Sequence, residues 1–175
     1  MTLAATTTKE KILLAILLGI IAGVICAITK FGWEIPFPPR TPARDLTNPP
    51  QEILQQLGFS FGFTHITYSY NGNPRPIISF IMHFGFSMTF ALLYCLIAEF
   101  KKGITLWQGS LYGLFVWFIF HVVLLPAFGT VPAPWHQPLA EHFSEITGHM
   151  FCFWVAELAR RDLRSRFTHQ HENFS

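Results

Sequence analysis

A chain of 175 residues in which 51% are hydrophobic, 19 are Phe and only 13% carry charge has too much apolar surface for a soluble domain and reads as lipid-embedded. Its net charge of +2, with Lys and Arg gathered at the ends of apolar runs, excludes nucleic acid as a partner. The three cysteines, Cys26, Cys95 and Cys152, lie on separate apolar runs without a Cys-x-x-Cys pair, so neither a zinc finger nor a structural disulfide is indicated.

Four apolar runs are long enough to cross about 30 Å of hydrocarbon at about 1.5 Å per helical residue. They extend from Ile12 to Thr29, Ile77 to Ala98, Ile104 to Phe128 and Leu139 to Ala159. The expected fold is therefore an all-α integral membrane protein, one multi-pass domain over residues 1–175. Its four transmembrane helices form a bundle, with a long outer, periplasmic loop at 30–76. The first run is expected to stay as an anchor, because Ile25, at the third position before a cut after Ala27, is too large for signal-peptide removal. In the loop, Pro36, Pro38, Pro39 and Pro42 enforce an extended chain, and TNPPQEILQQLGF suits a short helix capped by Asn48. FSFGFTHITYSYNG alternates with period two and ends in Asn71-Gly72, which predicts a strand and a hairpin turn. The fourth run is polar in its first half, but from Ile146 onward only His149 and Glu157 interrupt it.

Lys9 and Lys11 precede the first run, Lys101 and Lys102 fill the turn after the second, and Arg160, Arg161, Arg164 and Arg166 follow the fourth. The excess of positive charge on one side predicts cytoplasmic N- and C-termini, and Trp33, Trp107, Trp135 and Trp154 then fall near span ends. Gly19 with Gly23, and Gly109 with Gly113, form small-xxx-small pairs that predict close contact between the first and third spans, or a homodimer.

Ionisable residues inside the runs are the candidate site. Counting along each helix places His83, His121 and Glu145 all about 9–10 Å below the outer surface, with His149 about one turn deeper on the face of Glu145. His142, Glu145 and His149 share one stripe, with His142 peripheral. An unpaired charge at such depth costs at least about 2.5 kcal/mol, so these groups are expected to pair inside the bundle.

Three readings of that cluster stay open. Imidazoles beside a carboxylate can bind and release protons between about pH 5 and 8. Three imidazoles and one carboxylate, His83, His121, His149 and Glu145, also suit zinc, iron or manganese, and His83 with His121 suits the axial ligation of a haem. A hydrogen-bonded network that only fixes helix register, in a noncatalytic structural or interaction protein, is the third. The spacing His142-x-x-Glu145-x-x-x-His149 matches no catalytic metal signature, and no Ser-His-Asp set, phosphate-binding loop or dinucleotide fingerprint is present, so no catalytic residue is assigned and no enzyme is expected.

GIIAGVICAITKFGWEIPFPPRTP, the tetrapeptide LWQG at Leu106 to Gly109, and SEITGHMFCFWVAELARRDLRSR resemble the YagU family of bacterial inner-membrane proteins. The resemblance covers most of the chain apart from the middle of the long loop. It implies a multi-pass inner-membrane protein associated with acid resistance, and it implies no catalytic or ligand residues.

Overall fold

The computed structural model describes residues 7–42 and 44–170; both chain ends, whose cytoplasmic placement was expected from charge, lie outside the described residues. In chain order the elements are α1 (Thr8–Glu34), α2 (Pro49–Gln56), α3 (Phe61–Thr64), β1 (Thr67–Tyr70), β2 (Asn73–Pro76), α4 (Ile77–Phe100), α5 (Ser110–Trp117), α6 (Leu125–Ala127) and α7 (Leu139–Thr168). A 3-10 stretch at Lys102–Gly109 precedes α5, and a π-helical turn at Phe118–Leu124 joins α5 to α6.

The four long segments form a bundle in which α1 packs on α4 and α7, while α5 packs on α7. α1 begins with a reciprocal capping box between Thr7 and Glu10 and continues past Thr29 to Glu34, which carries Lys30 into the bundle. Leu14, Leu18, Tyr94, Tyr112, Val116 and Phe153 fill the core together with the three free, buried cysteines.

The glycines set the helix spacing, and they correct one expectation. A Cβ on Gly19 or Gly23 would sit 2.5 Å from the Cα of Leu92 or Met88 on α4, and one on Gly109 would sit 2.8 Å from the Phe153 carbonyl oxygen on α7. At Gly113 it would overlap the carbonyl oxygen of His149. All four glycines are thus filled by neighbouring helices of the same chain, so the homodimer through Gly19, Gly23, Gly109 and Gly113 is not supported. Their contacts pair α1 with α4 and α5 with α7, rather than the first span with the third.

Two departures from regular helix bracket α5. Trp107, Gln108 and Gly109 all have positive φ, and the Trp154 indole on α7 donates to the Gln108 side-chain oxygen at 3.1 Å, so the third run has a broken start instead of a continuous helix from Ile104. Further on, Pro126 has no N–H to offer, and the helix is already widened to π geometry before it reaches that residue. His121 lies within the widened turn.

Asn48 and Gln51 cap α2 reciprocally, and β1 pairs with β2 across the turn at Asn71 and Gly72, both with positive φ. Among the described residues, three segments are long and apolar enough to cross a membrane: Thr8–Glu34, Ile77–Phe100 and Lys102–Ala127. α7 runs for 30 residues, nine beyond the expected end at Ala159, and is less apolar because it carries Glu141, Glu145, Glu157 and four arginines.

Candidate functional site

The Glu145 carboxylate on α7 is the hub of the site. Lys30 Nζ from α1 lies 3.1 Å from Oε2, and an Arg40 guanidinium nitrogen from the loop lies 3.5 Å from Oε1. His121 Nε2 from the π turn and His149 Nδ1 from the next turn of α7 each lie 3.6 Å from Oε2, an ion-pair distance beyond hydrogen-bond length. Lys30 also holds Glu34 at 2.6 Å, and Arg40 also holds Asp45 at 3.1 Å. Lys30, Glu145 and His149 are buried, and His121 is half-buried.

Local structure explains why these groups meet. Glu145 and His149 are four apart on one helix and therefore overlie each other. Lys30 reaches them because α1 comes close at Gly148: a Cβ there would stand 2.9 Å from Trp33 and 3.0 Å from Lys30. His149 Nδ1 donates to the Glu145 carbonyl at 2.8 Å, which in the neutral ring leaves Nε2 as acceptor. The rings of His121 and His149 lie 5.0 Å apart.

These groups line a cavity of about 770 Å³ whose walls also include Phe31, Phe86 and Phe120. The cavity reaches the surface at the hairpin, where exposed Tyr70 and Arg75 contribute to its lining. His83 lines the same cavity but stands apart from Glu145: its ring stacks on Phe31 at 4.1 Å, and its buried Nε2 has no hydrogen-bond partner among the described residues. His142 turns away from the stripe, its Nε2 donating to the Pro134 carbonyl at 2.8 Å, and is absent from the cavity walls. Glu141 is paired with Arg44 of the long loop.

The sequence reading therefore named three members of the hub, His121, Glu145 and His149, and missed Lys30, Arg40 and Glu34. The available signal was Lys30 and Glu34 at i and i+4 on a continuation of the first helix. It also missed a second buried network toward the far end of α7, where Glu157 holds Arg160 at 2.6 Å and Arg164 holds Glu99 at 2.8 Å.

As a metal set, His121, Glu145 and His149 offer one donor atom each, all within 4.8 Å of one another. Both oxygens of Glu145 already face cations, however, so a divalent ion has to compete with Lys30 and Arg40 for the same carboxylate. A haem axial pair is no better served, because His83 Nε2 is covered.

The family model described as "Protein of unknown function (DUF1440)" matches residues 24–158. The chain belongs to this family. It is similar to the inner membrane protein YagU of Escherichia coli (strain K12), at 35% identity over 180 residues that take in 90% of this chain and 87% of that protein. No solved structure matches it. As a DUF1440 member related to YagU, it is a membrane protein, and the matched residues contain the whole Glu145 hub while stopping short of Arg160 and Arg164.

Proposed function

We propose that this DUF1440 chain is a four-span protein of the bacterial inner membrane that responds to protons entering its cavity and contributes to acid resistance. Both termini lie in the cytoplasm and residues 30–76 in the periplasm. The location is supported by the printed name of the relative, and the orientation by Lys9, Lys11, Lys101 and Lys102 on one side. α7 is the fourth span in this reading. It is supported by the way Glu145, His149 and Glu157 turn toward α1, α4 and the π turn, so that its ionisable groups avoid lipid.

One observation carries the proton reading: a single buried carboxylate gathers two imidazoles and two fixed cations at the wall of a cavity that reaches the surface. The charged groups around the hub are Lys30 and Glu34 on α1, Arg40 and Asp45 on the loop, and Glu145 on α7. With His83, His121 and His149 neutral, two cations stand against three anions, a net of −1. Protonating His121 and His149 brings the net to +1, and adding His83 brings it to +2. In a medium that screens poorly, that reversal drives α7 away from α1 or draws water into the cavity.

The test is a conformational transition on acidification, followed by tryptophan fluorescence of the protein in lipid nanodiscs. The double variant His121→Gln, His149→Gln retains hydrogen-bonding capacity and is expected to fold, lose the transition and lower acid survival of cells. A double variant that keeps both the pH response and survival of the wild type would sink the reading. Binding of zinc, iron or manganese is the second reading, favoured by the three converging donors and opposed by Lys30.

A further inference from the structure

The hairpin end of α4 carries a second concavity, distinct from the Glu145 cavity and facing outward. It is an open groove walled by Ile77, Ile81, Phe84 and Met88, with Gly85 in its floor. The space at Gly85 is open: a Cβ built there meets nothing within 4 Å. From Ile77 to Met88 the helix rises about 16 Å, close to half of the roughly 30 Å hydrocarbon layer, which is the depth of one leaflet. The groove is thus as long as one acyl chain.

Its upper end has a polar complement. Tyr68 lines both the groove and the cavity, and it stands directly opposite Arg75 in the β1–β2 pairing, so the two side chains project from the same face. Arg75 is exposed, and its guanidinium has no hydrogen-bond or ion-pair partner among the described residues. The other two cations of the cavity wall, Lys30 and Arg40, are committed to Glu34, Asp45 and Glu145. An unpaired guanidinium and a phenol above an apolar groove of leaflet depth complement a molecule with an anionic head and an aliphatic tail.

We propose that this groove is a binding site for an anionic phospholipid of the leaflet on the hairpin side, its phosphate held by Arg75 and Tyr68 and one acyl chain lying along α4 past Gly85. The assignment stands apart from the Glu145 hub and from its proton response. Arginine presents two parallel N–H donors to a phosphate, and a zwitterionic headgroup that adds a cation beside the phosphate is a poorer match for that fork.

The experiment is native mass spectrometry of the full chain in detergent, after delipidation and addition of equal amounts of phosphatidylglycerol and phosphatidylcholine, with dodecanoate in a parallel arm. The expected result is preferential retention of phosphatidylglycerol by about fivefold, the usual contribution of one basic residue at an anionic surface. Arg75→Gln, on an exposed strand, is expected to erase the preference while leaving total lipid binding intact. Gly85→Leu fills the groove and is expected to reduce retention of both lipids with the thermal midpoint preserved. Equal retention of the two lipids by the wild type, wild-type preference in Arg75→Gln, or wild-type retention of both lipids in Gly85→Leu overturns the proposal. So does stronger binding of dodecanoate than of phospholipid, or a dimer whose formation excludes lipid.

Discussion

α7 carries two buried charge networks, centred on Glu145 and Glu157, twelve residues and therefore about 18 Å apart. Around Glu157 the contacts are short and paired. Arg160 grips both carboxylate oxygens at 2.6 and 2.9 Å, and Tyr94 donates at 2.9 Å. Arg164 likewise grips Glu99 at 2.8 and 3.2 Å. Around Glu145 four groups from four parts of the chain share one carboxylate at 3.1 to 3.6 Å, two of them imidazoles, and a cavity adjoins them. Bidentate arginine–carboxylate pairs fix the geometry of both partners and act as a fastener. The Glu145 carboxylate is instead shared among longer contacts, and on the proton reading the charge of the imidazoles around it changes with pH. On that reading the same helix holds a fixed point at one end and an adjustable one at the other.

The sharpest way to break this contrast is Glu157→Leu. It removes the two-pronged Arg160 contact and the acceptor of Tyr94 in a buried site, leaving Arg160 the longer 3.9 Å contact to Glu99, and removing one partner of such a pair costs about 3–5 kcal/mol. Thermal unfolding in detergent should show a large fall in midpoint that is the same at pH 5 and at pH 7.5; a loss that depends strongly on pH would erase the distinction between the networks. Glu145→Gln should cost less, about 1–3 kcal/mol, because Lys30 keeps Glu34 and Arg40 keeps Asp45. If it proved the more damaging of the two in the same assay, the adjustable end would be the true fastener. The smallest expected effect is on bound metal. Protein purified without chelator should carry well under one equivalent of zinc, iron or manganese, measured by elemental analysis; about one equivalent, lost in His121→Ala, would move the hub from the proton reading to the metal one.

What the sequence made legible was what short-range geometry controls. The Asn48 cap, the Asn71-Gly72 turn and the overlay of Glu145 on His149 each depend on residues a few positions apart. Helical depth also brought His121 to the same level, although it lies on a different segment. Lys30 and Arg40 stayed hidden as ordinary loop charges because their link to Glu145 joins residues more than a hundred positions apart. His142 left its stripe because α7 begins just before it and the Pro134 carbonyl is within reach, a competitor invisible to helical spacing. Arg160 and Arg164 were counted as flanking charge for the orientation, yet both are buried against carboxylates. The left-handed run at Trp107 and Gln108 depends on α7, through Trp154, and had no local signal of its own.

That α7 follows α1, α4 and α5 in the chain has a consequence for biogenesis. Synthesis proceeds from the N-terminus, so α1, α4 and α5 emerge before the helix that completes both networks. Until α7 arrives, Lys30 has Glu34 but lacks Glu145, and Glu99 lacks the two arginines that hold it, Arg160 and Arg164. The early segments therefore wait with uncompensated charge. α7 then acts as the closing step of both networks, which makes a nascent chain cut short before Leu139 a natural substrate for quality-control proteolysis.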